Sequence, residues 1–502
     1  MSAKPLTSDR FARFTRLFLV VFCACSALVG CARNPVTGGT DVTMTTEKGE
    51  IEQGRKAHEQ VIRFFGVYED QALQDYVNEI GQNLARLSHR PDLEWHFTVV
   101  DAEDINAFAL PGGYIYITRG IMAYLNSEAE LAAVLGHEIG HVTARHSVRQ
   151  QSQNVLTGIL ATTAAIFTGS QAVAELANIG GAALLRGYGR EMELEADRLG
   201  AEYIGKAGYE PKAIIDVVGV LKNQEVWEIN RAREEGREPR VYHGVFSTHP
   251  SADTRLQQAV EVASSGIAKN VQGRTAREEY LRKIEGMPFG TSRAQGIVRD
   301  NRFYHADLGI TLAFPSGWIV ANQRSRLLAY TRQQDGIIQI TANPYPENLS
   351  PRLFLEKELR GRGGLSQGRE MTINGMQAYT AITRNGSPLD RGAGPVRYVV
   401  IFRDKLAFVF AGASRSSSNG VPAQDRVFLS AAQTVRNLKP AEFALTEPYR
   451  IRVITADENT SMKKLAQGSP IPRYPVDTLR LLNDLYPKKE PAPGTLVKVV
   501  DQ

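Results

Sequence analysis

Cysteine is almost absent from this chain: three residues in 502, Cys23, Cys25 and Cys31. A disulfide framework is therefore excluded as the basis of folding. Long apolar runs are missing too. The apolar stretches at residues 17–29 and 155–168 both fall short of the roughly 20 residues that a helix needs to cross a bilayer. A cationic field is also lacking. The formal charge is +5, but residues 1–30 hold Lys4, Arg10, Arg13 and Arg16 against Asp9 alone. The remainder carries about +2, so nothing in the charge balance points to nucleic acid.

What is present is concentrated chemistry. His137-Glu138-Ile139-Gly140-His141 is a His-Glu-x-x-His run. On a helix, positions four apart lie one turn above each other on the same face. Both imidazoles can then reach one zinc ion at about 2.0–2.1 Å, while the carboxylate between them addresses a metal-bound water. The lead-in supports a helix. Ser127 with Glu130 three residues on is a capping-box start, and Leu131, Val134, Leu135 and Ile139 make an apolar stripe. Chance supplies such a run in about one chain in a hundred of this composition.

The run has a companion. A gluzincin takes its third protein ligand from a carboxylate further along and leaves the fourth position open. Residues 190–197 read Arg-Glu-Met-Glu-Leu-Glu-Ala-Asp. Helical spacing places Glu193 and Asp197 on one face and Glu191 and Glu195 on another, without deciding which face meets a metal. His146, five residues past His141, falls about 140° off the ligand face if the helix continues. It is expected as a supporting or structural histidine, not a ligand.

These two segments resemble the signature motifs of the HtpX and CAAX-prenyl-protease family of zinc metallopeptidases, and most closely its BepA-like bacterial lipoprotein branch. The matching stretches are residues 130–142, with the His-Glu-x-x-His run, and Glu193-Leu194-Glu195-Ala196-Asp197. Residues 106–113 and Ser247-Thr248-His249-Pro250 match the branch as well. The resemblance implies one zinc ion per chain held by His137, His141 and Glu193, with Asp197 supporting a zinc-bound imidazole. It also implies that His249 can occupy the open metal position and hold the enzyme inactive. In the chemistry that follows, Glu138 is the general base that takes the proton of the attacking water. The developing anion needs a further donor, and both Arg255 and His249 are candidates.

Residues 1–30 read as a signal peptide, with a basic start and an apolar stretch at 17–29. Leu28-Val29-Gly30-Cys31 looks like a bacterial lipobox, so Cys31 is the expected lipidation site and the membrane anchor. Ala32 after the cysteine resembles lipoproteins sent to the outer membrane. The expected location is the cell envelope, on the periplasmic face of that membrane. Cys31 would then be the last cysteine left, and no intrachain disulfide could form.

The fold class expected is α+β. A lipidated tether at 31–45 leads to a mainly helical zincin protease domain at 46–285. A linker at 286–301, an α+β accessory domain at 302–440 suited to binding, and a β-α-α-β module at 441–502 follow. Residues 95–100 and 113–118 alternate as strands do; an edge strand there could pair with an extended peptide or only cover the helix. The segment 155–168 reads as a buried helix or a membrane-touching lid. The terminal module resembles a degenerate LysM domain, a peptidoglycan-binding fold, with Asp457-Glu458-Asn459-Thr460 replacing the usual Gly-Asp-Thr turn; a plain appendage fits equally.

Expected partners are polypeptide substrates, the membrane, and peptidoglycan or outer-membrane assembly machinery. A zinc metalloendopeptidase acting on misfolded or misassembled envelope proteins is the leading function. A peptidoglycan-directed protein and a chaperone or scaffold with a closed zinc site are the alternatives.

Overall fold

The computed structural model describes residues 30–43, 45–150, 188–236, 273–346, 348–360, 364–389 and 392–502. Residues 1–29 of the signal segment, the 155–168 stretch, His249 and Arg255 lie outside these residues. Helices and sheets are both well represented, as the α+β class requires. The chain divides into two compact units. One runs to Met287 and resumes over Ile451–Asp501; the other is Pro288–Arg450.

The first unit opens with a ribbon in the tether, β1 (Gly30–Arg33) antiparallel to β2 (Thr40–Thr43). Two helices follow, α1 (Glu47–Phe65) and α2 (Gln71–Arg86). The break falls at Gly66, whose φ of 75° suits glycine. Thr46 and Asp70 cap the two helices, accepting from the N–H groups of Gly49 and Leu73. Along α2, Leu73, Val77, Ile80, Leu84 and Ala85 are buried, a single apolar face at helical spacing.

A three-stranded sheet follows, in the order β3 (His96–Val100), β5 (Tyr114–Thr118), β4 (Ala107–Leu110). β3 and β5 are parallel, β4 and β5 antiparallel, so β4 is an edge. Short α3 (Arg119–Tyr124) leads into α4 (Glu128–Thr143), every residue of which is buried. A helix buried all round is a core element, not a surface amphipath. The apolar stripe read from the sequence is only one of its packed faces. At its start Ser127 Oγ accepts from Glu130 N (3.2 Å), and the Glu130 carboxylate accepts from Asn126 N (2.8 Å). The cap is thus one residue displaced from a reciprocal box. α5 (Arg190–Lys206), α6 (Ala213–Glu234) and α7 (Arg277–Ile284) complete the bundle.

The terminal β-α-α-β order is present: Tyr449–Thr455, Met462–Gln467, Pro475–Leu482 and Leu496–Asp501. It is no separate appendage, because residues 451–501 belong to the first compact unit. Lys498 is fully buried and its Nζ donates to Ala123 O and Leu125 O, 2.8 and 2.5 Å away. The last strand is thereby tied to the turn that precedes α4.

In the second unit seven antiparallel strands run in the order 319–323, 326–330, 336–344, 406–414, 396–403, 376–383, 365–373. Both faces of the central strand Val396–Arg403 are covered. Val399 and Ile401 join one apolar cluster with Phe428, while Tyr398, Val400 and Phe402 join another with Phe354. Burial on both sides explains why that strand reads as an unbroken apolar run. Residues 286–301, expected as a linker, are structured. They carry strands Pro288–Phe289 and Ile297–Arg299, and most of them belong to this second unit. Among the described residues, no helix is long and apolar enough to cross a membrane.

Candidate metal centre

Two helices make the site, and small residues let them come close. Gly136 and Gly140 on α4 face Ala196 and Gly200 on α5. A Cβ on Gly140 would lie 3.0 Å from Ala196 O, and one on Gly200 would lie 2.9 Å from His137 N. This seam sets the rotation of α5 about its axis and thereby chooses which acidic face turns inward. Glu193, seven residues before Gly200, shares its side of the helix.

His137 Nε2 and His141 Nε2 are 2.9 Å apart. Each lies 3.6 Å from an oxygen of Glu193. All three side chains are buried, and their potential donor atoms lie within 4.8 Å of one another. Four ligands around zinc at about 2.0–2.1 Å stand about 3.3 Å from each other in a tetrahedron, so these spacings fit one zinc ion. The chemistry of the set fits as well. His137 Nδ1 is 2.8 Å from Asp197 Oδ1, and a carboxylate can only accept, so Nδ1 carries the hydrogen and Nε2 the lone pair. Glu193 stands in the first turn of α5, where the helix dipole favours negative charge.

Of the four acidic residues in the cluster, Glu193 and Asp197 meet the histidines. Glu191 is exposed, and Glu195 turns aside to His146 Nε2 (3.1 Å) and Arg149 Nη1 (2.9 Å). Those two partners hold the Glu195 carboxyl down at about 2, the His146 hydrogen bond contributing most. His146 is wholly buried, and its Nδ1 is 2.8 Å from His141 Nδ1. Burial pushes its own pKa down, towards the neutral imidazole.

Glu138 is buried and lines a cleft with His137 and Asp197. The rest of that cleft is apolar: Ala107 of the edge strand β4, Ile121, Ala133 and Val134, and Ile214, Val217, Val218 and Leu221 of α6. A carboxylate, a metal-ligand set and an apolar cavity thus share one wall.

Tyr188 belongs to the site although no motif marks it. Its ring stacks on His141, with centroids 4.0 Å apart at 22°, and its hydroxyl lies 2.7 Å from Ser147 Oγ. Burial lifts its pKa well above the usual phenol range. Cys31 lies in β1, inside the tether.

Residues 71–263 match the family described as Peptidase family M48. Among curated proteins, the chain is similar to mitochondrial metalloendopeptidase OMA1 of Arabidopsis thaliana, 32% identical over 224 residues, 43% of this chain and 42% of the relative. It is 29% identical to the beta-barrel assembly-enhancing protease of Escherichia coli (strain K12) over 240 residues, 46% of this chain and 47% of that one. The protein of the same name from Yersinia pestis is 31% identical over 199 residues, 38% and 39% of the two chains. The match spans less than half the length of each relative. The family match at residues 71–263 includes the helices that carry the metal-facing residues.

Proposed function

Given that residues 71–263 form a peptidase family M48 domain, we propose that the chain is a zinc metalloendopeptidase of the cell envelope. The observation that carries this reading is the meeting of His137, His141 and Glu193 beside Glu138 and an apolar cleft. When bound, zinc supplies Lewis acidity and lowers the pKa of a water toward about 7. Glu138 takes the proton of the attacking water and returns it to the leaving amine. Asp197 holds the His137 ring in the tautomer that a ligand needs. The cleft takes an apolar side chain of the polypeptide beside the scissile bond. His249 and Arg255 remain the candidates for steadying the developing anion, and His249 for capping the open metal position.

The signal and lipobox pattern of residues 1–31 supports secretion, acylation at Cys31 and residence on the periplasmic face of the outer membrane. The likeness to a beta-barrel assembly-enhancing protease supports misfolded or misassembled envelope proteins as the substrates. The test is zinc content and casein-type proteolysis of the chain and its Glu138→Gln form. We expect one zinc in each and turnover reduced about 10²–10⁴-fold in the variant. Undiminished cleavage by Glu138→Gln would remove Glu138 from the mechanism, and a wild-type chain without zinc would remove the metalloenzyme.

A further inference from the structure

Behind His141 three polar side chains stand in line. His141 Nδ1 is 2.8 Å from His146 Nδ1. His146 Nε2 is 3.1 Å from Glu195 Oε2, and that same oxygen accepts from Arg149 Nη1 at 2.9 Å. The line is built of residues that a zinc ligand set does not itself demand. A wholly buried histidine among apolar and aromatic neighbours is costly unless both nitrogens are engaged, and here both are.

The hydrogens along this line follow from its far end. The carboxylate accepts, so the hydrogen on that side belongs to His146 Nε2. In the neutral ring His146 Nδ1 then accepts, and His141 Nδ1 must donate. His141 Nε2 is left with its lone pair, facing Glu193 Oε1 at 3.6 Å and His137 Nε2 at 2.9 Å. The opposite arrangement would put a hydrogen on His141 Nε2 and close the position to a metal. The Tyr188 ring lies flat against His141 and limits its rotation. The two histidines of the site are therefore held in different ways: His137 directly by Asp197, His141 through a second imidazole.

We propose that His146 and Glu195 are positioning residues for the metal centre, fixing the tautomer and ring orientation of His141, with Arg149 holding Glu195 in place. The inference rests on the reading of His137, His141 and Glu193 as a zinc site. It reaches beyond that reading by assigning work to three residues that touch neither metal nor substrate.

The experiment is a zinc dissociation constant for the full chain, by competition with a chromophoric chelator, for wild type, His146→Ala, His146→Asn and Glu195→Ala. Unfolding of the zinc-free proteins is measured alongside. Loss of an outer hydrogen-bond partner weakens metal binding about 10–100-fold, and His146→Ala should fall in that range. His146→Asn places an acceptor oxygen where Nδ1 stood, so it should recover most of the affinity although it cannot reach Glu195. A purely structural histidine would lower zinc-free stability in both variants and leave the Ala and Asn affinities alike. Should His146→Ala fail to fold, Glu195→Ala keeps both rings and should bind zinc about 10-fold more weakly. Variants that bind as tightly as a zinc-binding wild type would overturn the proposal. A wild type that binds no zinc would instead overturn the metal centre on which it rests.

Discussion

Gly200 makes the sharpest steric demand in the seam between α4 and α5. An alanine there would set its Cβ 2.9 Å from His137 N and 3.2 Å from both Gly136 C and His137 Cα. Those are backbone atoms in the middle of a buried helix, with no side-chain end to swing away. Non-bonded carbon contacts settle at about 3.5–4.0 Å, so the helices must part by roughly half an ångström. Overpacking of this kind costs about 1–3 kcal/mol. Against it, alanine in a helix interior returns up to about 1 kcal/mol relative to glycine. The steric cost wins, and Gly200→Ala should lose about 1–2 kcal/mol. Gly200→Val adds two methyl groups to the same contact and should lose about 3 kcal/mol. The site suffers as well, because Glu193 rides on the displaced helix and its oxygens, now 3.6 Å from each Nε2, would be carried out of reach of a shared ion. We expect zinc binding about 10-fold weaker in Gly200→Ala, equivalent to about 1.4 kcal/mol. Denaturant unfolding of the zinc-free protein reads the first effect, and chelator competition reads the second. A Gly200→Ala protein as stable as wild type with unchanged zinc affinity would refute the claim that close helix contact builds the centre.

The apolar cleft makes a prediction about substrates. Leu221→Trp should fill it and lower kcat/KM for peptides with Leu beside the scissile bond by about 10–200-fold relative to peptides with Gly there; an equal effect on both peptides would detach the cleft from specificity. In the second unit, Arg436 grips the Glu442 carboxylate through both terminal nitrogens (2.7 and 2.6 Å), and Lys439 N donates to it at 2.9 Å. The Arg436 bond above all holds its pKa at about 2, against an ordinary 4.5. The unfolded chain therefore binds this proton first. The stabilisation is present above about pH 4.5 and is lost as pH falls toward 2. Stability of the full chain followed across that window should decline less steeply in Glu442→Gln, and identical slopes would deny the pair any part in acid unfolding.

Spacing made His137 and His141 legible as a pair, because four residues is one turn and the caps around Ser127 announce a helix. The same arithmetic paired Glu193 with Asp197 but could not turn α5 about its axis. That rotation is a tertiary property, set where Gly136 and Gly140 meet Ala196 and Gly200. A local signal did exist in the small residues four apart on both helices, since they mark the sides that approach most closely. The accessory sheet shows the opposite failure. Strand 365–373 carries too many polar residues to stand out alone, strands 319–323 and 326–330 are only five residues each, and all three are fixed by backbone pairing with a neighbouring strand. In the C-terminal residues the β-α-α-β order of elements is legible in the local pattern. Their packing is hidden, because Lys498 looks like a surface residue until its ammonium is found on two carbonyls over 370 residues away.

His146 shows most clearly where helical extrapolation stops. Carried on from His141 at 100° per residue, it would point away from the ligand face. But α4 ends at Thr143, and Arg145 adopts a left-handed φ of 54°. That conformation is uncommon for a residue with a side chain and reverses the chain's direction. Arg145 is held in it by a buried ion pair from its Nε to Glu50 (2.9 Å), which also accepts from Arg90 (2.8 Å). The reversal brings His146 back beneath the helix and against His141 Nδ1. A single carboxylate on α1, Glu50, nearly a hundred residues earlier in the sequence, therefore decides where the third histidine of the cluster stands. No periodicity within residues 137–146 could have revealed it.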